Sequence, residues 1–239
     1  MHDSSPLDTD RHSVQKGNLM RYNCLKFIAI FGCAALLSAC AVSRSVVHIE
    51  QSETIENPAE GPEVRIVEVN DNRQFEIDPR SPDIPSLAND EIDDASVTER
   101  AYGRKRNTYG MALGDVLTPE GKTVSDAIAK TVENAFQAAG YRVLTPEDAD
   151  YANAADVKVD VTEFWSWFEP GFWQVTVHNR SDISLSAEEI TSSSPIRVTE
   201  HYKENMQMVL DSDWQASAIK ALQEVRKKIT DALLALPKP

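Results

Sequence analysis

The residues of this sequence that could do chemistry are few, and their spacing decides which chemistries are open. Gly121-Lys122-Thr123 has the look of the end of a phosphate-binding loop. Such a loop needs a further glycine five positions upstream so that backbone amides can wrap the phosphates, and Val116 stands there. The triplet reads instead as a helix start. Beyond residue 40 there are three histidines, His48, His178 and His201. A zinc site needs three or four converging ligands, and no His/Cys/Glu spacing supplies them. The acidic run Asp90, Glu91, Asp93 and Asp94 lacks the glycine bend of a calcium loop, so it reads as a solvated face. No Gly-x-Ser-x-Gly elbow is present, and no carboxylate pair stands out for acid–base work. The expectation is a chain that is not an enzyme, with no metal and no cofactor.

The chemistry that does stand out is covalent attachment. Met20 to Lys26 is a short basic segment, Phe27 to Leu37 is an apolar run, and Ser38-Ala39-Cys40 follows. A positive flank, a short apolar core and small residues at the cut make an export signal. The core is about half the roughly 20 apolar residues of a bilayer-spanning helix. Leu37-Ser38-Ala39-Cys40 resembles the lipobox of bacterial lipoproteins. That resemblance implies diacylglyceration of the Cys40 thiol, cleavage just before it, and acylation of the new amine, with Leu37, Ser38 and Ala39 recognised by the signal peptidase. Each chain adds about 0.8 kcal/mol per buried methylene, so two or more retain a protein permanently. Ala41, in place of the aspartate that commonly retains lipoproteins at the inner membrane, implies the periplasmic face of the outer membrane. The alternative is an uncleaved anchor over residues 27–42. Met20 also reads as the true start, with residues 1–19 an over-extension.

Charge agrees with this address. The formal net charge is −14, and residues 1–39 hold four basic and three acidic groups, so the acidity belongs to the remainder. Nucleic acid is excluded, because phosphate contacts need a lysine/arginine surface. Anionic headgroups would repel such a body, which leaves the lipid on Cys40 as the membrane contact. Cys24 and Cys33 fall in the signal segment, so the mature domain has no disulfide and stands on its core.

The elements that would carry this domain follow from periodicity. Residues 40–62 read as a lipidated N-terminus and flexible tether of roughly 25 Å root-mean-square reach. Residues 63–239 read as one domain. Val64–Val69 alternates as a strand. Glu76–Glu99, rich in proline and carboxylates, reads as a solvated insertion, and Arg104-Lys105-Arg106 as a solvated turn beside it. Tyr109–Leu117 reads as a second strand. Lys122–Gly140 is a helix with a Thr123/Asp126 capping box and a left-handed exit at Gly140. Tyr141–Leu144 is a short strand, and Thr145–Asp148 the capped start of one helical turn. Two long strands meet at the turn Glu169-Pro170-Gly171, with Val157, Val159, Val161, Trp165 and Trp167 expected on one face of the first. On the second, Trp173, Val175, Val177, Ile183 and Leu185 share a face. A strand from Ile196 and an amphipathic helix to Leu236 close the chain. The expected fold class is α+β, a mainly antiparallel sheet with two amphipathic helices packed on one face.

Six aromatic residues crowd the hairpin: Phe164, Trp165, Trp167, Phe168, Phe172 and Trp173. Not all can enter one core, so they form either a locally thick core or an interaction patch. The order of elements resembles the YajG-type family of bacterial outer-membrane lipoproteins. The matching features are the Cys40 lipobox, the strand VRIVEV with Asp71-x-Arg73, a helix running into Gly140-Tyr141, the strand VKVDVTEF, and His201 to Asn205 before a final helix. The resemblance implies no catalytic residues and transfers only the lipid site. The expected function is a lipid-anchored, non-catalytic envelope accessory or assembly protein with an envelope protein or lipid as partner. The alternatives are a lipid- or lipopolysaccharide-handling transport auxiliary that uses the aromatic hairpin and, as a third class, a hydrolase.

Overall fold

A computed structural model describes residues 44–50, 55–191, 194–207 and 209–236. Ten strands are present among the described residues: β1 Ser45–Val46, β2 Glu63–Asp71, β3 Glu76–Ile77, β4 Ser86–Leu87, β5 Ala101–Arg106, β6 Ala112–Leu117, β7 Arg142–Val143, β8 Ala155–Pro170, β9 Val175–Ser186 and β10 Ile196–Met206. The helices are α1 Ala95–Thr98, α2 Val124–Ala138, α3 Glu188–Thr191 and α4 Asp211–Leu234.

The expected fold class needs correction on both counts. There are four helices among the described residues, not two, since α1 and α3 are single turns too short for any periodicity to show. The sheet is mixed, and parallel pairings predominate. In the eight-stranded sheet β1·β6, β2·β7, β2·β8 and β5·β8 are parallel, against antiparallel β5·β6, β8·β9 and β9·β10, and the small β3·β4 sheet is parallel too. Antiparallel neighbours are joined by local turns that sequence reveals. The parallel pairs join remote segments, such as Ser45 with Val116 and Ile66 with Val157, and leave no local mark.

Strand β8 organises the whole. Its one edge is filled by β9 from Lys158 to Pro170. Along its other edge β2 pairs from Ala155 to Val161, and β5 takes over at Ser166. Arg73 seals the junction, donating to the carbonyls of Ala101 and Thr98 while paired with Asp71 at 2.6 Å.

Helices α2 and α4 cover one face. The Thr123/Asp126 capping box starts α2, and Gly140 leaves it at φ +88°, where a side chain would be strained. The α2 stripe of Val124, Ile128, Val132 and Phe136 joins Trp214, Leu222, Val225 and Ile229 of α4 over Val157, Val159, Val161, Ile183 and Leu185. Burying each such side chain contributes roughly 1.5–3 kcal/mol.

Three further expectations change. Residues 40–62 are not tether throughout, because β1 lies on β6 and Val47 and Ile49 are buried in the core. The 76–99 segment is not merely solvated. It carries β3, β4 and α1, and Leu87 and Val97 form a second small core with Ala101 and Leu117, with Phe75 against it. Thr145 and Asp148 bond to each other, but a turn and a short 3-10 segment at Tyr151–Asn153 follow rather than a helix.

Candidate functional site: the β8–β9 hairpin and its end of the sheet

The hairpin aromatics do not share a face, because the strand carries a β-bulge. Val161 pairs with Ile183 but Glu163 pairs with Asp182, so Thr162 is an extra residue. One extra residue exchanges inside for outside along the rest of a strand. Phe164, Ser166 and Phe168 therefore continue the helix-covered face of Val157–Val161. Phe164 is in the main core, and Phe168 packs edge-on against Trp214 with centroids 6.0 Å apart. Trp165 and Trp167, expected with the valines, lie on the opposite face.

That opposite face is closed over by the proline-rich segment. Trp165 donates through Nε1 to the Pro82 carbonyl at 3.1 Å and meets the Phe75 ring edge-on. Arg180 fastens the same segment, with Nη1 3.2 Å from Asp83 and Nε 2.7 Å from Glu163, while its guanidinium lies over Trp167. Ser81 and Arg180 hold the Asp83 carboxyl below its usual range.

Beside it, Trp167 stacks parallel to His178 with centroids 4.8 Å apart, and His178 Nδ1 is 3.0 Å from His201 Nε2. Both histidines lie on the face of the sheet away from the helices, with His178 buried. Burial is the main reason the His178 pKa falls below its ordinary value, with His201 and Lys203 pushing the same way and Glu169 and Asp83 opposing. Its Nε2 is 3.6 Å from Glu169, whose side chain is mostly exposed. Among the described residues no three His, Cys, Asp or Glu side chains converge as metal ligands. The two imidazoles are turned toward each other and an indole, which is an arrangement for packing.

On the helix side, Asn179 receives Ser181 on its Oδ1 and donates to Ser166 Oγ, both at 2.9 Å and fully buried. This polar trio lies beside Gly103, where a Cβ would stand 2.9 Å from the Ser166 carbonyl oxygen and 3.2 Å from the Trp214 ring. Glycine is there because the backbones approach closely.

Of the six aromatics, then, Phe164, Trp165 and Trp167 are buried and Phe168 is half-buried. Phe172 and Trp173 at the turn are 88% and 85% exposed and pack on each other edge-to-face, centroids 4.8 Å apart. Cys40 and its recognition residues Leu37, Ser38 and Ala39 lie outside the described residues.

Two features near the tip were missed from sequence. Arg104, Lys105 and Arg106 are not a turn but a buried strand, each about 8% exposed. Lys105 Nζ donates to Ser45 Oγ at 2.5 Å and pairs with Asp211 at 3.3 Å. Arg106 donates to the Pro79 and Gly110 carbonyls and to Ser86. The other feature is a set of exposed apolar residues remote in sequence, Tyr109, Met111 and Leu210. Only the pairing of strands brings these near the hairpin.

The remaining candidates are self-satisfied. Lys122 pairs with Glu50 at 3.0 Å at the rim of a cleft of about 340 Å³ beside the start of α2. In the acidic run, Glu91 pairs with Arg44 at 2.5 Å and Asp94 caps α1 through Ser96. Among the described residues no helix is long and apolar enough to cross a membrane, and the 27–42 alternative lies outside them.

No protein-family model matches the chain, and no curated protein does. Solved structures resemble it distantly. A crystal structure of an uncharacterized protein is 11% identical, covering 80% of this chain and 97% of its own, with a TM-score of 0.42. A Xanthomonas campestris protein from a domain family of unknown function is also 11% identical, covering 81% and 94%, with a TM-score of 0.42. A Helicobacter pylori homolog of a neuraminyllactose-binding hemagglutinin is 13% identical, covering 79% and 91%, with a TM-score of 0.33. At these scores the likenesses carry no argument about what this chain does.

Proposed function

We propose that this chain is a lipid-anchored, non-catalytic accessory domain of the bacterial envelope, held at the periplasmic face of the outer membrane, that binds other envelope components. The observation that carries the reading is Leu37-Ser38-Ala39-Cys40 directly after a short apolar run with a basic flank. Kinship with YajG-type lipoproteins is part of the same proposal. A surface that suits binding is the hairpin turn, where two aromatic side chains are held in water. Radiolabelled palmitate should be incorporated by the wild type and not by Cys40→Ala. A Cys40→Ala chain that still pelleted with membranes would favour an uncleaved helix and end the proposal.

The exposed Phe172–Trp173 pair gives the lipid-handling alternative its support. Trp165 is covered by Phe75 and Pro82, so only the tip is offered to an acyl chain. Lipid co-purifying with wild type but not with Phe172→Ser/Trp173→Ser would favour that reading. A hydrolase would need convergent polar groups of shifted pKa in a cleft, and the His178–His201 pair is not so placed.

A further inference from the structure

Ser45, Val116, Gly103 and Ser166 lie in one row across the sheet, each the register partner of the next. From that row β5 and β8, which are parallel, run toward the same end. There β5 turns into β6 through residues 107–111, and β8 turns into β9 through residues 171–174. The last residue of β10, Met206, pairs with Val175, the first residue of β9, so the approach to α4 lies at this end too. β1 is parallel to β6, whose start is here, so Arg44, immediately before Ser45, lies on this side. Arg44 confirms the direction by pairing with Asp115, one step down β6 from Val116.

Five of the nine large apolar side chains exposed among the described residues belong to this end: Tyr109, Met111, Phe172, Trp173 and Leu210. They come from three connections remote in sequence, so no local hydrophobic pattern explains their coincidence. Ser45 is fixed there by Lys105 and by Asp211 at the start of α4.

We infer that this end of the sheet is the face that lies against the bilayer, with Phe172 and Trp173 inserted at the lipid–water interface. The inference rests on the lipid-anchor reading and deepens it. Five residues lead from Cys40 to Ser45, which reach at most roughly 17 Å when extended. From Ser166, in the same row, β8 projects five residues to Gly171, about 17 Å at roughly 3.3 Å per residue. The hairpin therefore projects from the row about as far as five extended residues can span. Tryptophan suits such a depth, with an apolar ring for the acyl boundary and an N–H for water. The acidic body gains nothing from anionic headgroups, so this contact is apolar and should form on zwitterionic lipid.

Tryptophan itself reads the test. Of the four tryptophans, Trp165, Trp167 and Trp214 are at most 2% exposed and only Trp173 is open to solvent. The full chain, lipidated and reconstituted in phosphatidylcholine vesicles, is exposed to aqueous iodide or to brominated acyl chains in the bilayer. The expected result is loss of Trp173 emission to brominated lipid and protection of Trp173 from iodide, whereas Trp173→Phe, left with three buried tryptophans, should be quenched by neither. Iodide quenching without lipid quenching, in protein whose mass shows acylated Cys40, would overturn the apposition, leave the anchor standing, and give the patch to a protein partner. A chain recovered without acyl groups would overturn anchor and apposition together.

Discussion

Strand β5 and the β8–β9 turn lie at one end of one sheet and treat their side chains in opposite ways. The strand buries Arg104, Lys105 and Arg106; the turn exposes Phe172 and Trp173. Each buried cation ties in a segment that arrives from elsewhere. Arg104 pairs with Asp115 of β6, Lys105 holds β1 to the start of α4, and Arg106 holds the proline-rich segment. Desolvation makes such cations expensive, and it is offset because carbonyls and carboxylates converge on them. The exposed rings have no such partners in the fold. The comparison teaches that polar groups at this end fix β1, β6 and the proline-rich segment, while the apolar rings at the turn are left exposed.

The largest effect should come from the cations. Arg106→Ala leaves the Pro79 and Gly110 carbonyls and Ser86 without their donor, and should cost about 3 kcal/mol in urea unfolding. A loss under about 0.5 kcal/mol would reduce β5 to an ordinary surface strand.

Asn179→Ala comes next, at about 2 kcal/mol, because it strands the Ser166 and Ser181 hydroxyls in a buried site. Adding Ser166→Ala and Ser181→Ala should recover part of that loss, which comparison of the triple mutant with Asn179→Ala alone would read.

His178 contributes through pH. Folded, its pKa lies below the ordinary 6.5, so between the two values the unfolded chain binds more protons. The contribution is therefore present above pH 6.5 and lost as pH falls through 6.5 toward the folded value. His178→Asn should flatten stability against pH in that window, and an unchanged slope would show that His178 titrates freely.

The smallest effect on stability belongs to the tip. Phe172→Ser/Trp173→Ser should unfold within about 0.5 kcal/mol of wild type, because neither ring supports the core. A large loss would mean that the rings are structural and would erase the contrast with β5.

How much of this was legible in the sequence depended on whether the signal was local. The α2 capping box, the α4 stripe from Trp214 to Leu233 and the β8–β9 hairpin are written in spacings of two to four residues, and the structure has them. Thr162 was not legible as a bulge, since nothing local distinguishes an extra residue from the next alternating one. The faces of Trp165 and Trp167 were lost with it. Arg104-Lys105-Arg106 was misread because three consecutive cations suggest water, and their acceptors come from residues 45, 79, 86, 110, 115 and 211. The parallel pairings and the company of Tyr109, Met111 and Leu210 with the hairpin tip depend on the same long-range topology. The proposed Cys40 site rests on linear sequence alone, in Leu37-Ser38-Ala39-Cys40, and lies outside the described residues.

The intact mass of the mature protein purified from membranes tests the central claim most directly. A chain beginning at Cys40, heavier than its residues by a diacylglyceryl group and an amide-linked acyl chain, is the expected result. A chain that keeps residues 20–39, or begins at Cys40 with a free thiol, would contradict it.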